Sequence, residues 1–216
     1  VKSHLAEFLP GPVVRRRPIL SGDRLTNANH DWWFNWYEPV NSIGKVQQWH
    51  GNSGAVIRSW AFYRRYGRGL KTMSEHAVLN ANYLRHRIFK LAKEKGVDHL
   101  FCDGAPTDVV KHEFTLSLAA LKEERGVGAM DIAKGLLDRG YMAPTVYFPL
   151  IVPECMMIEP TETESKEVLD EFAECFVDIL SEDPEVLRNA PITTPVRRVD
   201  EVYAARNLCL SHPFDD

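Results

Sequence analysis

The stretch 142–181 most limits what this chain can fold into, because it carries two short apolar runs followed at once by a long amphipathic one. Thr145-Val-Tyr-Phe148 is β-branched and aromatic and lies between Pro144 and Pro149, which reads as a buried strand with proline at its ends. Cys155-Met-Met-Ile-Glu159 reads as a second strand stopped by Pro160, and Pro153 makes the segment between them a loop or bend. Thr161 with Glu164 three residues later fits a reciprocal capping box, so a helix is expected to begin there. Glu159, Glu162, Glu164 and Glu167 complement the positive end of its macrodipole. From Val168 onward Leu169, Phe172, Cys175, Phe176, Ile179 and Leu180 recur at three- and four-residue steps, one apolar face about 18 Å long. Such a helix has to lie on a sheet.

The same order recurs upstream. Residues 97–101 and 112–118 alternate like strands, and 130–139 forms a short helix with Ile132, Ala133, Leu136 and Leu137 inward. The expected fold class is therefore α+β, a largely antiparallel sheet with helices covering one face. Residues 70–95 make the longest helix, with a stripe of Met73, Ala77, Ala81, Leu84, Ile88 and Leu91. Arg87, Lys90, Lys93 and Lys95 gather ahead of Gly96, as suits a helix C-terminus. After residue 182 a short helix at 183–188 precedes a tail broken by Pro191, Pro195 and Pro213, with one amphipathic turn or two at 200–206.

The first third differs. Leu5, Phe8 and Leu9 suggest the end of an amphipathic helix, stopped by Pro10-Gly-Pro12. Residues 13–40 are extended, and Trp32, Trp33, Phe34, Trp36 and Tyr37 form a cluster expected to pack one subdomain on its neighbour. Arg15-Arg-Arg17 reads as an exposed strand edge. Gly51-Asn-Ser-Gly54 opens a helix that runs to Tyr66 and closes at Gly67; outward N–H groups at such a start can take an anion, and Asn and Ser are also ordinary N-caps.

Ala143-Pro-Thr-Val-Tyr-Phe-Pro149, then Met157-Ile-Glu-Pro-Thr-Glu-Thr-Glu-Ser-Lys166, resembles the C-terminal part of the glycine cleavage system P-protein, and Pro149-Leu-Ile-Val-Pro153 resembles its second subunit in the two-subunit form. The likeness extends through Val1-Lys-Ser-His-Leu-Ala-Glu-Phe-Leu-Pro10, Ser42-Ile-Gly-Lys-Val46, Gly51-Asn-Ser-Gly54, Ala77-Val-Leu-Asn-Ala-Asn-Tyr-Leu84, His112-Glu-Phe114 and Thr194-Pro-Val-Arg-Arg198, so it covers nearly the whole chain in order. It implies the C-terminal part of a fold-type I pyridoxal-phosphate-dependent transferase, aminotransferase-like. Residues 1–95 would be a remnant of the large domain with the connecting helix, 96–182 the α+β small domain, and 183–216 an extended tail.

The implied reaction is decarboxylation of glycine with transfer of the aminomethyl group to the lipoyl carrier protein (H-protein), with P-protein subunit 1 as partner. In that family the lysine that holds pyridoxal phosphate follows a histidine and precedes a glycine-rich run. None of Lys2, Lys45, Lys71, Lys90, Lys93, Lys95, Lys111, Lys122, Lys134 and Lys166 does so. That lysine is expected upstream of Val1, so no catalytic residue is assigned here, the cofactor is not expected to be held covalently, and the isolated chain is expected to be inactive. The start at Val1, inside an apparent helix, likewise raises the expectation of a longer protein. His50, Asn52 and Ser53 are the candidates for the cofactor end of the chain. His112 with Glu113, and Arg197 with Arg198 as a carboxylate binder, are further candidates.

A net charge of −4 without a basic stripe argues against a nucleic-acid partner, and no apolar run approaches the length of a membrane span. Cys102, Cys155, Cys175 and Cys209 lack the spacing of a zinc site or a disulfide framework, which points to reduced thiols and the cytoplasm. The alternative reading is a non-catalytic α+β module that docks protein through its Trp cluster and tail.

Overall fold

A computed structural model of the protein describes residues 2–18, 32–46, 51–104 and 108–211. By its contacts the chain divides into two units, Val1–Gly67 and Arg68–Asp216.

The first unit opens with a 3-10 turn, Ser3–Phe8, in place of the expected amphipathic helix end; Leu5, Phe8 and Leu9 are exposed. Strand β1 (Val13–Pro18) then pairs antiparallel with β2 (Trp32–Tyr37), setting Arg15 opposite Asn35. The arginine run thus lies on a paired strand, and the Arg15 guanidinium sits 4.7 Å above the Tyr37 ring. Of the aromatic cluster, Phe34 and Trp36 stand exposed, against the expectation that the cluster packs; the side chains of Trp32 and Trp33 lie outside the described ones. Helix α1 (Ser53–Tyr66) follows, ended by Gly67, which takes a positive φ of 51°.

The second unit holds the core. Helix α2 (Leu70–Lys95) has the bounds read from the sequence, and Gly96 in the left-handed conformation (φ 70°) ends it, its N–H reaching Lys93 while that of Val97 reaches Ala92. The stripe is buried only along its second half. Ala81, Leu84, Ile88 and Leu91 are inside, whereas Met73 and Ala77 are half-buried. Residues 97–101 do not form the expected strand: Asp98–Leu100 is a 3-10 turn that tucks Leu100 and Phe101 inward, and the strand, β3 (Cys102–Asp103), begins after it. Strand β4 (Phe114–Ser117) leads to α3 (Ala119–Arg125), a helix absent from the sequence reading, and α4 (Ala129–Asp138).

Strand β5 (Thr145–Val146) is shorter than expected and lies on the sheet edge, leaving Tyr147 and Phe148 exposed where a buried strand was expected. Strand β6 (Cys155–Ile158) is central, and the order β3-β4-β6-β5 is antiparallel throughout. Helix α5 (Lys166–Leu180) begins four residues later than the capping box suggested. Ser165 is the cap, accepting from the Val168 N–H at 3.4 Å, while residues 161–164 close a turn whose Thr161 and Glu164 carbonyls accept from the Asn80 amide.

Helix α5 packs its apolar face on α2 and α4, with Phe176 edge-on to Phe101. Arg87 and Lys95, read as macrodipole partners of α2, instead pair across the helices with Asp170 and Asp178. Asp170 also accepts from the Tyr83 hydroxyl at 2.7 Å and from Lys166 at 2.6 Å. Glu154 accepts from Ala129 N–H at the start of α4, pairs with Lys122, and lies so close to Gly128 that a Cβ there would sit 2.5 Å from its carboxylate. Helices α6 (Pro184–Asn189) and α7 (Glu201–Arg206) complete the chain. Between them the Asp138 carboxylate accepts from the Ile192 and Thr193 N–H groups and the Thr193 hydroxyl.

Candidate functional site

At the start of α1, Asn52 is the N-cap: its side chain accepts from the Ala55 N–H at 3.1 Å, and Ser53 is the first helical residue. Both are exposed, and Gly51 before them has a positive φ of 78°. Asn52 therefore serves the helix itself, leaving the outward N–H groups of the first turn as the feature that suits an anion. His50 lies outside the described residues.

The strand pair β4/β6 brings together a second group. His112 Nε2 lies 3.7 Å from Glu113 Oε2 and 3.9 Å from Glu159 Oε1. Glu159 was read as one of several charges at a helix start, and only the strand register reveals its place beside His112. It also lines a cleft of about 430 Å³ between α2, α5 and the 140–145 loop, together with Leu84, Tyr141, Met142, Glu164 and Phe172. Tyr141 stands edge-on to Phe172 at 5.2 Å, and burial raises the pKa of its hydroxyl above the ordinary value.

Arg198 is not available to bind a carboxylate ligand. It donates to the carbonyls of Ala190 and Leu187 at 2.7 and 2.9 Å, which line the end of α6, and it pairs with Asp131 at 2.7 Å. Arg197 beside it is exposed.

A lysine that attaches a carbonyl cofactor has to reach the neutral amine. Lys71, Lys90, Lys95, Lys122 and Lys166 each sit against a carboxylate. For Lys122 and Lys166 the hydrogen bonds to Glu154 and Asp170 push the ammonium pKa up, away from that requirement. These residues do not fit covalent attachment of pyridoxal phosphate. Cys155 is buried, and Cys175 half-buried, with burial raising both thiol pKa values, so neither is an activated nucleophile.

A family model described as glycine dehydrogenase, C-terminal domain, matches residues 73–194. Proteins described as probable glycine dehydrogenase (decarboxylating) subunit 2 are similar along nearly the whole chain. That of Desulforamulus reducens is 46% identical over 210 residues, 95% of this chain and 39% of the relative, and that of Thermosipho melanesiensis is 42% identical over 221 residues, 100% and 41%. The chain thus spans about 40% of the length of these relatives. Among solved structures, glycine decarboxylase (P-protein) of the glycine cleavage system, in inhibitor-bound form, superposes with a TM-score of 0.57 at 14% identity, covering 82% of this chain and 37% of that one. That likeness shows a shared fold, in keeping with the α+β layer described above. By the match over 73–194, which takes in α2 from Met73 onward, the four-stranded sheet and α3 to α6, this chain belongs to the glycine dehydrogenase C-terminal domain family.

Proposed function

We propose that these 216 residues are the C-terminal portion of the catalytic subunit of a pyridoxal-phosphate-dependent glycine decarboxylase. The single observation that carries this is the family match, because it coincides with the packed second unit from α2 to the start of the tail. The whole protein would decarboxylate glycine and pass the aminomethyl group to the lipoyl carrier protein, with subunit 1 as partner, in the cytoplasm. The cofactor serves as the electron sink when the carboxyl bond breaks. No step of that chemistry is assigned to a side chain here, since Lys71, Lys90, Lys95, Lys122 and Lys166, each held by a carboxylate, do not fit the attachment role.

What these residues supply is position. Helix α2, locked to α5 through Arg87, Tyr83 and Asp170, gives a rigid block 26 residues long at its spine. Residues 1–95 would be a remnant of the large domain with the connecting helix α2, 96–182 would form the small domain, and 183–216 the tail. Asn52 and Ser53, with His50, are proposed to approach the cofactor phosphate through the start of α1. Among the described residues no helix is long and apolar enough to cross a membrane.

Two measurements test the reading. Titration with pyridoxal phosphate, borohydride reduction and intact mass should yield no unique adduct; one reduced cofactor on one lysine would refute the assignment of that lysine elsewhere. Grafting this chain in place of the matching part of the Desulforamulus reducens relative should preserve glycine-dependent bicarbonate exchange with subunit 1 and carrier protein. An inert but folded graft would sink the functional assignment. The exposed Phe34, Trp36 and Trp60 favour a docking role for the first unit as well, and a docking role alone would leave the graft inert.

A further inference from the structure

Glu159 meets the adjacent pair His112 and Glu113 although it is far from them in sequence. Strand β4 faces β6 with Phe114 opposite Ile158, and continuing that antiparallel register by one residue sets Glu113 opposite Glu159. Two carboxylates directly opposite on neighbouring strands repel each other. Among the described residues neither is paired with a lysine or an arginine. Both instead approach one imidazole, and a donor atom from each of the three side chains lies within 4.8 Å of the other two.

We infer that His112, Glu113 and Glu159 form a binding site for a divalent transition-metal cation of the Zn²⁺ class. The donor set decides the class. One imidazole nitrogen with two carboxylate oxygens suits Zn²⁺, Co²⁺ or Ni²⁺, whereas Mg²⁺ and Ca²⁺ take shells made of oxygen. Zinc–nitrogen and zinc–oxygen bonds of about 2.0–2.2 Å bring tetrahedral ligands to roughly 3.3 Å of one another, so the donors have to draw in by about 1 Å. The three side chains keep 52%, 38% and 56% of their surface in solvent, which leaves them free to rotate inward. A cation there removes the cross-strand repulsion. Three protein ligands leave a coordination position open to water or to a ligand oxygen. Glu159 also lines the cleft that carries Tyr141, so the site adjoins that cleft.

The test uses the full 216-residue chain in a Cys102→Ser/Cys209→Ser background, which removes the two exposed thiols as competing ligands. Zinc is titrated against a chromophoric chelator at about pH 7.5, because metal ligands bind in their deprotonated form. One Zn²⁺ per chain is expected with a Kd in the micromolar range, undisplaced by Mg²⁺ at about 1 mM. His112→Ala should weaken binding at least about tenfold, and Glu159→Gln should weaken it too, whereas His99→Ala should leave it unchanged. The Co²⁺-loaded chain should show d–d absorption that His112→Ala abolishes. Affinity unchanged in His112→Ala overturns the proposal, as does absence of stoichiometric uptake. Circular dichroism of each variant confirms that the fold is kept, as the half-exposed positions lead one to expect.

Discussion

Helices α1 and α5 are nearly equal in length, 14 and 15 residues, and both carry many apolar side chains, yet they end in opposite circumstances. Helix α5 buries Leu169, Ala173, Phe176, Val177, Ile179 and Leu180, and the five larger of these contribute on the order of 10 kcal/mol. Helix α1 buries none: Val56, Ile57, Trp60 and Tyr63 are each more than 60% exposed. Apolar spacing therefore creates a helical face without creating its partner. What α1 has of its own is local, the Asn52 cap at one end and Gly67 at the other, and an isolated helix of about this length is marginal in water.

The largest test of that contrast is truncation of one aromatic on each helix. Phe176→Ala should cost about 3–5 kcal/mol in urea unfolding, and Trp60→Ala should stay within about 0.5 kcal/mol. Equal losses would break the comparison, because Trp60 would then have to be packed. Next, Gly128→Ala should lower the unfolding free energy in urea by about 1–3 kcal/mol, since its Cβ would drive the Glu154 carboxylate off the Ala129 N–H.

A smaller pair sharpens the contrast. Asn52→Ala and Ser165→Ala each remove a cap worth about 1 kcal/mol, but only the first should reduce far-UV helical signal under native conditions, because burial keeps α5 wound without its cap. Smallest is a pH effect. Hydrogen bonds from Lys166 and Tyr83 lower the Asp170 pKa from 3.8 to about 2. The folded value is depressed, so the stability it brings is present above pH 3.8 and is lost as pH falls toward about 2. Asp170→Asn should flatten the stability curve across that window, and an unchanged slope would refute the link.

Where local pattern and tertiary packing agree, the sequence is legible. Helix α2 has a stripe, a basic last turn and a glycine stop, and its bounds were readable to the residue. Thr161 and Ser165 are both competent caps four residues apart, and the choice between them is made by the Asn80 amide, 81 residues from Thr161, which binds the turn carbonyls. The alternation at 97–101 fits a strand, but Leu100 and Phe101 are buried by a 3-10 turn whose spacing happens to mimic it. For the candidate sites, His112 and Glu113 were visible as a pair. Their third member, Glu159, was not, because it is brought in by the register of β4 against β6 rather than by spacing along the chain. The α1 start was legible as a cap, and the Asn52 side chain accepts from the Ala55 N–H as expected.

The clasp formed by Asp138 on Ile192 and Thr193, and by Arg198 on Asp131 and the end of α6, also determines how the tail transmits force. Tension applied to the chain beyond residue 199 is delivered through two carboxylates into both ends of α4, a helix wedged in the core, instead of unzipping α6 from its terminus. The ten residues of 190–199 thus act as a strain relief, so that a tug on the tail has to break charged contacts before it can disturb the sheet.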